Sequence, residues 1–121
     1  MKNLTLSIFL LAAGCAATLP QPTPEEIESF KMIDPSITIE SVRDARELYI
    51  LKCSGCHSLY LPASYRPEEW PKILEEMTMK AKTSVKENEK ILSFLKLYSL
   101  RNSKISQDSV LGKVGMELET N

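Results

Sequence analysis

Residues 41–57 read SVRDARELYILKCSGCH, and this stretch decides most of what the sequence predicts about the fold. Ser41, followed three residues later by Asp44, predicts the start of a helix. Apolar and aromatic residues then recur every three to four positions, which is typical of an amphipathic helix: Val42, Ala45, Leu48 and Tyr49. The predicted helix runs directly into a pair of cysteines.

The cysteine pair belongs to the sequence Cys53-Ser54-Gly55-Cys56-His57, whose C-x-x-C-H spacing is that of a haem c attachment motif. In such a motif the two thiols bond covalently to the porphyrin, and the adjacent imidazole coordinates the iron as the proximal ligand. Gly55 is expected to give the tight turn room. The motif therefore predicts one covalent haem c, held by Cys53, Cys56 and His57.

Other uses of the same residues are limited by the small inventory of three cysteines and one histidine. A structural zinc site needs four ligands, and the motif supplies only Cys53, Cys56 and His57. A thioredoxin-like dithiol requires a preceding strand and an α/β sheet, whereas the sequence predicts no convincing strand. A structural disulfide or redox pair between Cys53 and Cys56 stays open as the haem-free alternative.

Two more helices are predicted after the motif. Ser84 and Glu87 form a capping box that opens a helix ending near Arg101. The middle helix begins at Pro67 or restarts at Pro71, because a proline inside a helix costs a backbone hydrogen bond. Its apolar residues lie at i, i+3, i+4 and i+7 on one face: Trp70, Ile73, Leu74 and Met77.

These features resemble small monohaem cytochromes c over about Val42 to Arg101. The shared pattern is an amphipathic helix leading into C-x-x-C-H, a Trp-x-x-Ile-x-x-x-Met helix, and a final Ile-Leu-x-Phe-Leu-x-x-Tyr helix. The resemblance implies an all-α fold, with three helices around one covalent haem in residues 41–101. It also implies that a proline carbonyl accepts the second nitrogen of His57, with Pro62 and Pro67 as candidates, and that Trp70 packs on the haem.

The sixth ligand of the iron is expected to be a methionine, because the chain has no second histidine. The methionines beyond the signal are Met32, Met77, Met79 and Met116. Met77 lies on the apolar face of the middle helix and is the expected distal ligand. Met79 lies about 200° further round at 100° per residue and is the substitute.

The first forty residues predict export and a lipid anchor. Residues 1–14 have the three-part form of a signal peptide. They end in Leu11-Ala12-Ala13-Gly14-Cys15, which resembles a bacterial lipobox and implies acylation of Cys15, although cleavage after an alanine is the alternative. The same resemblance implies the outer membrane, because Ala16 stands where an inner-membrane retention Asp would be. Residues 15–40, rich in proline and glutamate, are expected to form an extended tether with a docked end.

The charge pattern excludes one class of partner and favours another. Fifteen Lys and Arg against 16 Asp and Glu leave no basic excess for nucleic acid. Residues 41–101 alone carry a net +3, with Lys80, Lys82, Lys86 and Lys90 as a basic rim for acidic redox proteins. The tether, with a net −4, is a candidate cover for that rim.

The expected function is single-electron transfer at the periplasmic face of a membrane, with no enzymatic residues. The alternatives are a haem protein with an open distal site for a gas or peroxide, and the cytochrome subunit of a larger oxidoreductase. Residues 102–121 form an extension without a chemical motif, expected as a short helix, a strand or a frayed tail.

Overall fold

The computed structural model of the protein describes residues 18–118, and this part of the chain is all-helical. It contains four α-helices and one turn of 3-10 helix: α1 Pro24–Lys31, α2 Ile39–Cys53, the 3-10 turn Pro62–Ser64, α3 Trp70–Ala81 and α4 Val85–Leu118. The expected all-α class is confirmed, with one helix more than the three predicted. The predicted signal peptide, residues 1–14, and the predicted acylation site Cys15 lie outside the described residues.

Helix α1 lies where the sequence predicted an extended tether, so that prediction is wrong for Pro24–Lys31. Pro24 occupies the first turn, where its missing N–H is not needed. The Thr23 hydroxyl accepts from the Glu26 backbone N–H at 3.3 Å, and the Glu26 carboxylate accepts from the Thr23 N–H at 3.1 Å. This reciprocal cap stabilises a short helix that the proline content alone disfavours.

The apolar side of α1 packs on α4, which makes α1 part of the folded domain. Ile27 and Phe30 are buried, and the Phe30 ring meets Tyr98 edge-on at 5.3 Å between centroids. The Tyr98 hydroxyl donates to Glu26 Oε2 at 3.0 Å, and Arg101 forms an ion pair with the same carboxylate.

Helix α2 begins earlier than predicted. Thr38, not Ser41, is its N-cap: the Thr38 hydroxyl accepts from the Ser41 N–H at 3.1 Å, and the Ser41 hydroxyl accepts from the Thr38 N–H at 3.1 Å. A serine three residues into a helix thus completes a cap that threonine starts. The helix ends at Cys53, as the sequence predicted.

Helix α3 begins at Trp70, with Pro71 in its first turn. The predicted restart at Pro71 is confirmed to within one residue, and the alternative start at Pro67 is wrong. The helix ends where Lys82 adopts a left-handed conformation with φ of 52°. The N–H groups of Lys82 and Thr83 both donate to the Thr78 carbonyl, which satisfies a carbonyl at the helix end.

Helix α4 is the element on which the others pack. The predicted capping box is confirmed, with the Glu87 carboxylate 2.8 Å from the Ser84 N–H. The helix runs to Leu118, well past the predicted end near Arg101 and through most of the predicted extension. It contacts α2, α3 and the 3-10 turn. Its fully buried residues form the centre of the core: Ile91, Phe94, Leu95 and Tyr98.

None of the helices within residues 18–118 combines the length and the apolar character that crossing a membrane requires.

Candidate functional site

The C-x-x-C-H motif opens onto an apolar cleft between the end of α2 and one face of α3. The cavity measures about 280 Å³, just below the roughly 300–1,000 Å³ range of small-molecule sites. The residues that line it are Tyr49, Lys52, Cys53, Cys56, His57, Tyr60, Trp70, Ile73, Leu74, Met77, Lys80 and Ala81. The structure therefore brings Cys53, Cys56, His57 and Met77 to one cavity, although Met77 lies 20 residues beyond His57 in the chain.

The two cysteines of the motif are free thiols in this structure. Cys53 is the last residue of α2 and is partly buried, whereas Cys56 is exposed. Burial, with a smaller contribution from neighbouring Cys56, raises the pKa of the Cys53 thiol above its ordinary value. Cys53 is therefore protonated at neutral pH and keeps an uncharged sulfur at the wall of the cleft.

Gly55 does not have the role that the sequence suggested. Its φ is not positive, and a Cβ built on it would meet no atom within 4 Å. A residue with a side chain would therefore fit at position 55 without touching other atoms of the protein.

His57 has one ring nitrogen engaged by the backbone. Nδ1 lies 2.7 Å from the carbonyl oxygen of Ser58. A carbonyl only accepts, so Nδ1 donates this hydrogen bond and Nε2 is the ring nitrogen left for a ligand. The expected proline carbonyl is wrong for this structure: the carbonyl beside the imidazole is that of the next residue, and the Pro62 carbonyl accepts from Trp70.

Trp70 forms a fixed wall of the cleft. It is 1% exposed, and its indole N–H donates to the Pro62 carbonyl at 3.1 Å. The ring also meets Tyr65 edge-on, with centroids 5.1 Å apart. These contacts tie the 3-10 turn to the start of α3 and fix the indole at the wall of the cleft. Packing of Trp70 on a haem stays a prediction.

The two candidate methionines of α3 have different surroundings. Met77 is partly buried and lines the cleft beside Ile73 and Leu74. Met79 is 87% exposed and is not among the lining residues. The predicted difference in orientation is confirmed, because two residues rotate a helix by about 200°. Whether Met77 binds iron stays a prediction.

The basic rim of the cleft differs from the predicted one. Lys80 lines the cleft together with Lys52, which the sequence reasoning missed; Lys90 lines other grooves. Lys52 also forms an ion pair of 3.1 Å with Glu87, which joins α2 to α4. Two of the five acidic residues of the predicted tether pair elsewhere, Glu26 with Arg101 and Glu28 with Lys31, and not with the lysines of this rim.

Tyr49 is a second residue of the site that the sequence reasoning treated only as part of the helix pattern. Its position four residues before Cys53, one turn earlier on α2, was the available signal. The buried hydroxyl donates to the Tyr60 carbonyl at 2.9 Å, which fixes the loop after the motif. Burial is the main cause that raises the pKa of Tyr49 to about 12.

The fold and the site together define a class: a small all-α domain with an apolar cleft, bordered by two free thiols, an imidazole and a thioether. Within residues 18–118 no three Cys, His, Asp or Glu side chains are grouped to hold a metal ion by themselves. This chain matches no protein-family model, no curated protein and no solved structure.

Proposed function

We propose that this protein is a monohaem c-type cytochrome that carries single electrons between redox proteins. Cys53 and Cys56 hold the haem through thioether bonds, His57 is the proximal ligand, and Met77 is the distal ligand. The observation that carries the proposal is that the C-x-x-C-H motif ends α2 at the edge of an apolar cleft whose lining includes Met77.

The residues of the cleft fit a haem c. The thiols of Cys53 and Cys56 are free, and the Ser58 carbonyl engages Nδ1 of His57, which leaves Nε2 for a ligand. Apolar and aromatic side chains line most of the cavity, as a porphyrin requires. When bound, a haem c supplies one-electron exchange between ferrous and ferric iron.

The protein's own groups also bear on the reduction potential and on the choice of partner. The hydrogen bond from Nδ1–H to a carbonyl orients the imidazole and raises its basicity. Apolar walls and a thioether ligand both favour a high potential. Lys80 places positive charge at the cleft, which attracts acidic surfaces of partner proteins, whereas the charge of Lys52 is balanced by its ion pair with Glu87.

The location that we propose follows from the N-terminal sequence. Cleavage before Cys15 and acylation of that residue anchor the protein to the periplasmic face of a bacterial membrane, with the outer membrane preferred. Several acyl chains on one residue make a stable anchor, because each buried CH2 contributes about 0.8 kcal/mol.

The test is the visible absorption spectrum of residues 16–121, exported without the lipid in a host that matures haem c. The wild type is compared with Met77→Ala, and Met79→Ala is the matched control from the exposed side of the same helix. We expect a low-spin haem c in the wild type and in Met79→Ala. In Met77→Ala the far-red band of the methionine–iron bond should disappear.

Three other results would point away from this assignment. High-spin iron in the wild type that binds carbon monoxide would indicate an open distal site. Loss of the far-red band in Met79→Ala and not in Met77→Ala would reassign the ligand. A colourless wild-type protein would indicate the haem-free alternative, with Cys53 and Cys56 as a disulfide or redox pair.

A further inference from the structure

The first described residues are fastened to the body of the domain by Arg46. Its Nε donates to the Pro20 carbonyl at 2.9 Å, and its Nη2 lies 3.4 Å from the Leu19 carbonyl. Leu19 also packs against the hydrophobic core, and Pro22 is buried. Residues 19–22, here called the strap, are therefore held by a charged donor and by apolar burial together.

The strap leaves very little free chain after the predicted lipid site. Only residues 16–18 separate Cys15 from Leu19. Four Cα–Cα steps span at most about 14 Å. An extended tether over all of residues 15–40 would span roughly 80 Å at about 3.1 Å per residue. Any anchor at Cys15 is thus within about 14 Å of the strap.

The strap also has a defined position relative to the cleft. Arg46, Tyr49 and Cys53 follow one another at i, i+3 and i+7 on α2, so they share one side of that helix. The seven residues from Arg46 to Cys53 correspond to about 10 Å along the helix axis. The strap is therefore attached about two turns from the first cysteine of the motif.

We propose that the strap holds the domain directly against the membrane in which the acyl chains of Cys15 are inserted. The surface formed by the strap and the neighbouring part of α2 then faces the lipid headgroups, and the cleft is reached by partners at the level of that same membrane. This inference rests on the lipid anchor of the proposed function. It replaces the long tether expected from the proline content with a short, fixed attachment.

The test uses neutron reflectometry of the mature, lipidated, haem-loaded protein, residues 15–121, in a supported bilayer of the phospholipids of a bacterial membrane. The quantity measured is the thickness of the water layer between the headgroups and the protein. The first variant is Arg46→Ala, with Arg43→Ala as matched control, because Arg43 is exposed on the same helix and does not hold the strap. A second variant inserts ten Gly and Ser residues between Ala16 and Ala17, before the first residue that the structure describes.

We expect a water layer of at most about 14 Å for the wild type and Arg43→Ala. Release of the strap in Arg46→Ala extends the free chain to Thr23, which widens the layer by about 10 Å. The insertion lengthens the free chain from four to 14 Cα–Cα steps, so its r.m.s. span rises from roughly 11 Å to roughly 21 Å and the layer widens by about 10 Å. A wild-type layer as wide as that of the insertion variant would overturn the inference. So would an insertion variant that stays as close as the wild type, since the surface would then bind lipid without the strap.

The proposed function and this inference fail in different ways in the same samples. The mass of the N-terminal peptide reports acylation of Cys15, and the absorbance reports the haem. An unacylated Cys15 would overturn the lipid anchor and the inference with it, while leaving the haem assignment to its own spectrum. A wide layer beneath an acylated, haem-loaded protein would overturn the inference alone.

Discussion

Replacing Trp70 by phenylalanine tests the wall of the cleft most sharply, because it removes one hydrogen bond from a fully buried contact. The indole N–H donates to the Pro62 carbonyl at 3.1 Å, and both residues are less than 2% exposed. The substituted side chain keeps an aromatic ring that can still meet Tyr65 edge-on, as Trp70 does. The loss is thereby confined to the N–H group and one part of the ring system.

The magnitude follows from these two losses. A buried carbonyl left without its donor costs about 1–3 kcal/mol. The space vacated by the smaller ring adds about 1 kcal/mol, because a well-packed core relaxes only in part. We expect Trp70→Phe to lower the free energy of unfolding by about 2–4 kcal/mol, a large share of the roughly 5–15 kcal/mol typical of a domain.

The assay is urea unfolding of the haem-loaded mature protein, followed by far-ultraviolet circular dichroism. Leu51→Ala is the control, because Leu51 is 75% exposed on α2; its effect should stay within about 0.5 kcal/mol. If Trp70→Phe costs no more than Leu51→Ala, the indole does not tie the 3-10 turn to α3 as we describe.

Three further predictions concern the helix ends and the ionisable groups. Lys82→Gly should raise the free energy of unfolding by about 0.5–1 kcal/mol, because glycine adopts the left-handed conformation seen at φ of 52° without strain. The control Glu76→Gly, inside the same helix, should lower the free energy of unfolding by a similar amount when measured by urea unfolding. Burial raises the pKa of Tyr49 to about 12, so the stability that its neutral hydroxyl contributes is complete below about pH 10, where an unfolded tyrosine titrates. That contribution is lost as the pH rises to about 12, and Tyr49→Phe should show a shallower decline in alkaline unfolding curves; an equal decline would contradict the cause. The hydrogen bond from the Ser84 backbone N–H, and after it the one from Lys52, lowers the pKa of Glu87 below its ordinary 4.5. The stability contributed by the charge of Glu87 is present above about pH 4.5 and is lost as the pH falls through the lowered pKa. Glu87→Gln should therefore reduce the difference between the urea midpoints at about pH 6 and pH 3.

The sequence was most informative where a periodic pattern and a motif coincide. The run into Cys53 gave the end of α2, and the spacing from Trp70 to Met77 gave the apolar face of α3, because about 100° of rotation per residue holds in any regular helix. The same geometry separated Met77 from the exposed Met79. The capping box of Ser84 and Glu87 was readable for a similar reason: both partners of its two hydrogen bonds lie within one turn.

The N-terminal segment shows why the rest was missed. Its prolines favour an extended chain locally, but Thr23, Pro24 and Glu26 form a complete helix start that was present in the sequence. Besides this cap, α1 is stabilised by contacts with α4, among them the hydrogen bond between Glu26 and Tyr98, 72 residues away. No local pattern reports a partner at that separation. For the same reason, no local pattern predicts the hydrogen bond from Arg46 to the Pro20 carbonyl, 26 residues earlier in the chain.

The site residues missed from sequence have the same cause. In the sequence Lys52 has no feature that distinguishes it from a solvent-exposed lysine. In the structure, α4 places Glu87 Oε1 3.1 Å from its Nζ. The partner of the His57 Nδ1 was expected at Pro62 or Pro67, whereas the carbonyl of the adjacent Ser58 lies 2.7 Å away. The Pro62 carbonyl is engaged by Trp70, an outcome that depends on how the 3-10 turn packs on α3.

The central claim is that Cys53 and Cys56 attach a haem, and the intact mass of the exported protein tests it most directly. Residues 16–121 are produced with haem c maturation machinery and treated with a thiol-alkylating reagent under denaturing, reducing conditions. We expect the polypeptide mass plus one haem and no alkylated cysteine, with Cys53→Ala and Cys56→Ala together giving the bare polypeptide. A wild-type mass without haem, raised by two alkyl groups, would contradict the claim.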